Sequence, residues 1–146
     1  MIDFNQSAKN VMLARKNYGS PKTMLHRINV SSQELVGKTI TIEDIVISIK
    51  PKRDNETKEP ILNKDGKQIY QPYAYVAYDG DKYFVSKSGI LIEQIESISD
   101  TQLRGIYEQK EISIDTLNGE TVSIGTEKVP YRGTGKDYDQ IIFKSA

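Results

Sequence analysis

Isoleucine recurs at alternate positions between Lys38 and Lys50, but its parity changes midway. Ile40 and Ile42 occupy even positions, whereas Ile45, Ile47 and Ile49 occupy odd ones. A strand turns successive side chains to opposite faces, so an unbroken strand would put one group into water. One extra residue near Glu43-Asp44 restores a single apolar face, and a β-bulge supplies it. The pattern predicts a long, bent strand of the sort that a small closed barrel requires. Gly37 stands just before it as a turn residue.

The segment from Tyr73 to Lys87 carries the strongest hairpin signal: Tyr-Ala-Tyr-Val-Ala-Tyr, then Asp79-Gly80-Asp81, then Lys-Tyr-Phe-Val-Ser-Lys. A two-residue turn or a four-residue loop places Ala74, Val76, Tyr78, Tyr83 and Val85 on one face. Tyr73, Tyr75, Ala77, Lys82, Phe84 and Ser86 then share the other. A three-residue loop breaks this grouping. The first set is the expected core, and the second is aromatic and polar together. Upstream, Pro51 to Gln71 is polar, with Asp65-Gly66 marking a hairpin tip or extended loop. Prolines 51, 60 and 72 limit its part in any ladder.

After Ser88 the period becomes helical, with Leu91, Ile92, Ile95 and Ile98 in register. Ser99 to Gln102 resembles a capping box opening a second short turn, with Leu103 and Ile106 inward. Residues 111–116 and 120–124 flank Leu117-Asn118-Gly119. A hairpin with Gly119 left-handed pairs Ile114 with Val122 and keeps one apolar face. Gly133-Thr134-Gly135-Lys136 reads as a loop before a final strand, Asp137 to Lys144. It lacks the spacing of a phosphate-binding loop. Residues 1–30 have weak periodicity, a breaker cluster at Gly19-Ser20-Pro21, and room for a short helix over Asn10–Asn17. They are expected to form an arm, with residues 31–146 as the folded domain.

Composition narrows the chemistry. The 146 residues suit one domain and include no cysteine, which excludes disulfides, thiolate metal sites and cysteine nucleophiles. The lone His26 has no partners for a catalytic triad or a transition-metal site. No enzyme activity and no cofactor are expected. No apolar run reaches the ~20 residues of a membrane span, and the first residues lack the pattern of a signal peptide. The expected location is cytoplasmic. Net charge is zero, 20 basic against 20 acidic residues, so bulk charge alone would not coat nucleic acid.

The order of elements is long bent strand, loop, hairpin, helix, hairpin, strand. A five-stranded, partly open Greek-key barrel, the OB-fold, fits a mainly β chain of this order. A short helical segment would lie between strands 3 and 4, and the arm would precede the barrel. A twisted α+β sheet is the rival. On the barrel's outer face, Tyr73, Tyr75 and Phe84 would form a stacking strip beside Lys82. Loops would bring Lys50, Lys52, Arg53 and Lys58 from one side and Tyr131, Arg132 and Lys136 from the other. Rings that stack on bases at ~1–3 kcal/mol each, beside cations that track phosphates, are how sequence-tolerant single-strand binders work.

The chain also resembles the small OB-fold single-stranded DNA-binding proteins of Gram-positive phages and conjugative plasmids. The resemblance covers roughly Leu35 to Phe143. It rests on the opening Gly37-Lys-Thr-Ile-Thr-Ile, the tyrosine hairpin and the closing Asp-Tyr-Asp-Gln-Ile-Ile-Phe. It implies non-catalytic, largely sequence-independent binding of single-stranded DNA in replication or transfer, with self-association; RNA stays open as a ligand. Phe4 and Met12 are the expected apolar anchors by which the arm docks on a second copy. The competing functions are a protein-interaction or structural module on the same barrel, and an oligosaccharide-binding domain.

Overall fold

The computed structural model describes residues 1–130 and 137–146. The opening strand forms as β2, Thr39–Pro51. Its ladder with β3, Tyr70–Tyr78, slips between Ile42 and Asp44, so Glu43 is the extra residue. With that slip Ile40, Ile42, Ile45, Ile47 and Ile49 all join one buried cluster. Burying an isoleucine side chain is worth roughly 1.5–3 kcal/mol, so the bulge governs a large share of the core.

β4, Lys82–Ser86, pairs antiparallel with β3, and β1, Ile28–Asn29, pairs parallel with β4. On the other edge of β2 lie β5, Lys110–Ile114, and the start of β6, Thr121–Pro130. β7, Asp137–Ser145, closes the series against β6. The result is a curled half-barrel sheet, mainly β, with two helices.

The β5–β6 hairpin is a correction. Ile114 opposes Ile45 and Ile112 opposes Ile47, whereas Val122 opposes Ile40. The two strands run in line along β2, and residues 115–120 loop out between them. Gly119 is left-handed at φ +87°, and its N–H donates to the Ile42 carbonyl at 2.7 Å. β2 is long enough to serve both segments. Ile112 and Ile114 thus meet Ile47 and Ile45 on β2, while Ile124 meets Phe143 on β7.

Helix α2, Gly89–Ser99, is capped by Ser88 Oγ accepting from the Leu91 N–H. Its buried face presents Leu91, Ile92 and Ile95. The helix also covers β7: Gln94 donates to the Phe143 carbonyl and accepts from the Phe143 N–H, both at 2.9 Å. Ser88 Oγ donates to the Ile141 carbonyl at 2.7 Å. These bonds satisfy backbone groups along part of β7. Asp100 is left-handed at φ 52° and ends α2. Only a turn at Arg104-Gly105 follows, not a second helix, but Leu103 is buried and Ile106 packs against the core as expected. None of the helices among the described residues is long and apolar enough to cross a membrane.

The N-terminal segment differs from a plain arm. Helix α1, Phe4–Lys16, has 13 residues, with Asp3 Oδ1 accepting from the Gln6 N–H. It buries no residue. Beyond it, Asn17, Pro21 and Met24 are buried, and β1 joins the sheet. The part without buried residues therefore ends near residue 16 rather than 30.

Candidate nucleic-acid interface

Asp79-Gly80-Asp81 is a three-residue loop, with Asp79 and Gly80 left-handed at φ 58° and 77°. The bulge residue Glu43 holds it: its carboxylate accepts from the Gly80 N–H at 2.7 Å and from Arg27 at 3.0 Å. Those two donors, the amide first, keep the Glu43 carboxyl below its ordinary value of 4.5. An odd loop length opposes Ala77 to Tyr83, Val76 to Phe84 and Tyr75 to Val85. The faces expected for β4 are therefore exchanged.

Phe84 is the clearest correction among the expected stacking residues. It is fully buried in the main hydrophobic core, its ring 6.3 Å from that of Tyr78. Tyr83, expected inside, lies on the outer face and stacks on Tyr75 at 6.1 Å with 28° between planes. Tyr75 is on the expected face but is 5% exposed, because Met24 covers it. Tyr73 is half-buried at the open end of the same row.

That open end is where the basic residues gather. β2 delivers Lys50 opposite Gln71, and the chain then turns outward through Lys52 and Arg53. The turn is self-built. Asp54 Oδ1 accepts from the Glu56 and Thr57 N–H groups at 2.9 and 3.0 Å, which holds its carboxyl below the ordinary 3.8. Arg53 Nη1 donates to the Lys58 carbonyl at 3.1 Å. The groove between this loop and β3 holds about 730 Å³. Among the described residues, Lys50, Lys52, Arg53, Lys58 and Lys87 line it, with Tyr73 and a single carboxylate, Asp54. Low-dielectric walls lined by one sign of charge concentrate anions.

Lys50 organises the groove. Its ammonium lies 5.7 Å from the centre of the Tyr73 ring and 5.1 Å from that of Tyr75. It donates to the Tyr75 hydroxyl at 2.7 Å and to the Gly19 carbonyl at 3.1 Å. The structure thus places Lys50, Lys52, Arg53, Lys58 and Tyr73 around one groove and adds Lys87. Its position just past the end of β4 was readable, but its nearness to Lys50 depends on the pairing register.

Lys82 does not join them. It opposes Tyr78, seven residues along β3 from Gln71, roughly 23 Å at strand rise. Its ammonium pairs with Asp79 at 3.1 Å, a hydrogen bond that raises its pKa. It lines a separate depression with Lys38, Glu34 and Glu43. Tyr131, Arg132 and Lys136, with the Gly133-Thr134-Gly135 loop, lie outside the described residues. Phe4 and Met12 are 74% and 66% exposed on α1.

The chain matches no family model, no curated protein and no solved structure.

Proposed function

We propose that this protein binds single-stranded DNA without catalysing a reaction, using the groove around Lys50. The observation that carries the reading is one ammonium held against two tyrosine rings in a groove of five cations and one carboxylate. Phosphates need fixed cations and bases need a ring face, and this groove offers five cations beside the half-buried Tyr73 ring. Zero net charge fits local binding through such a groove rather than bulk coating.

The architecture supports the same reading. Counted as one interrupted strand, β5 and β6 join β2, β3, β4 and β7 to make five, with α2 after the third. That is the element order of an OB-fold, with β1 as an added edge. The resemblance to DNA-binding proteins of Gram-positive phages and conjugative plasmids points the same way, to a cytoplasmic role in replication or transfer.

Self-association is part of the proposal. Phe4, Val11 and Met12 are exposed on α1, and at i, i+7 and i+8 they fall along one stripe. This stripe is also what favours the second reading, a protein-interaction module, because exposed apolar side chains along one helix suit a protein partner.

Fluorescence anisotropy with a labelled poly-dT oligonucleotide in low salt tests the first reading. Binding at micromolar protein, weakened by Lys52→Ala and Arg53→Ala, is the expected result. No binding under those conditions refutes it. A glycan screen that yields tight ligands would favour a sugar-binding domain instead.

A further inference from the structure

The segment from Asn17 to Arg27 lies over the outer face of β2, β3 and β4 and hides the Tyr75–Tyr83 pair. Its hold is mainly polar. Asn17 Nδ2 donates to the carbonyls of Met24, Leu25 and Arg27 at 3.3, 3.2 and 2.7 Å, so one side chain shapes the segment. The Tyr83 hydroxyl donates to Asn17 Oδ1 at 3.0 Å and lies 3.3 Å from Ser20 Oγ. Arg27 ties the far end to Glu43 at 3.0 Å. Lys50 ties the near end through the Gly19 carbonyl. Met24 is the only residue of the segment in the buried cluster on this face. Upstream, α1 has no fully buried residue, and only Asn10, Leu13 and Ala14 are partly buried.

Two features make this cover displaceable. Lys50 belongs both to the cover's tether and to the groove. The Lys50 ammonium has three donors and two are engaged, by the Tyr75 hydroxyl and the Gly19 carbonyl. A phosphate oxygen in the groove can take the third and, as the stronger acceptor, draw the ammonium away from the neutral carbonyl. What lies beneath also tolerates exposure. Two tyrosine rings 6.1 Å apart and 28° from parallel present faces on which bases stack, and their hydroxyls accept water.

We propose that Asn17–Arg27 is a displaceable cover over a second base-stacking platform, Tyr75 with Tyr83. It is released when a phosphate of single-stranded nucleic acid takes Lys50 from the Gly19 carbonyl. The proposal rests on the groove's reading as a nucleic-acid site and adds an order to it. Phosphate engages first at the groove, and bases reach Tyr75 and Tyr83 after the cover lifts.

Hydrogen–deuterium exchange of residues 17–27 in the full chain, with and without poly-dT, tests this alongside anisotropy titrations. Tyr83→Phe keeps the ring and removes both hydroxyl contacts. Losing them shifts an opening equilibrium by roughly fivefold, and apparent affinity follows the open fraction. The expected results are faster exchange of 17–27 when poly-dT binds the wild type, and tighter binding by Tyr83→Phe. Asn17→Ala should act in the same direction; if it fails to fold, Tyr83→Phe decides alone. If wild type binds poly-dT but exchange at 17–27 does not rise and Tyr83→Phe binds no tighter, the cover is fixed and this proposal falls while the groove stands. If wild type does not bind, both fall.

Discussion

Replacing Phe84 with alanine removes a ring that is fully buried, opposite Val76 and 6.3 Å from the Tyr78 ring. Truncating a core phenylalanine costs about 3–5 kcal/mol, from lost transfer energy and the cavity left behind. The contact with Tyr78 puts the cost in the upper part of that range. A domain of this size has about 5–15 kcal/mol in total, so the variant should be folded but far less stable. Tyr73→Ala on the outer face should lose only about 1 kcal/mol, since the ring is half-buried. Urea unfolding followed by circular dichroism, with unchanged slope, gives both values. A loss below about 1 kcal/mol for Phe84→Ala would place the Phe84 ring outside. It would also restore the two- or four-residue turn.

Gly119→Ala should lose about 1–2 kcal/mol from its left-handed backbone alone, because an added Cβ meets nothing within 4 Å; an unchanged urea midpoint would contradict the looped-out insertion between β5 and β6. Glu43→Gln should lower thermal stability near neutral pH by loosening the Asp79–Asp81 loop and the Arg27 tie. Glu43's folded-state pKa is depressed, so its contribution is complete above the ordinary 4.5 and is lost as pH falls through the lowered value. The gap in melting temperature between wild type and Glu43→Gln should therefore close in acid, and a gap that persists or widens there would refute the assignment. Deleting residues 1–12 removes the α1 stripe and should lower the mass seen by light scattering; an unchanged mass counts against α1 as the self-association element.

The bulge in β2 was legible because five isoleucines report one face and their parity changes once. The faces of β4 were not legible in the same way. Asp79-Gly80-Asp81 admits loops of two, three or four residues. The choice is made by Glu43, which reaches the Gly80 N–H from 37 residues away. The β5–β6 arrangement failed for a related reason: Asn118-Gly119 is as good a hairpin signal as a bulge signal, and only the length of β2 decides between them. Of the candidate site, Lys50, Lys52, Arg53 and Tyr73 were legible as basic loop beside aromatic strand. The burial of Tyr75 was not, because it depends on Asn17 and Met24 in a segment without periodicity.

The proposed function turns on phosphates being bound by the cations around Lys50. The direct measurement is the affinity for a short poly-dT oligonucleotide across a series of salt concentrations. Each phosphate neutralised on a single strand contributes a slope of about −0.7 in log K against log salt, so engagement of four or five groove cations predicts a slope of about −3. A slope near zero, or no binding at micromolar protein in low salt, would contradict phosphate binding by the groove.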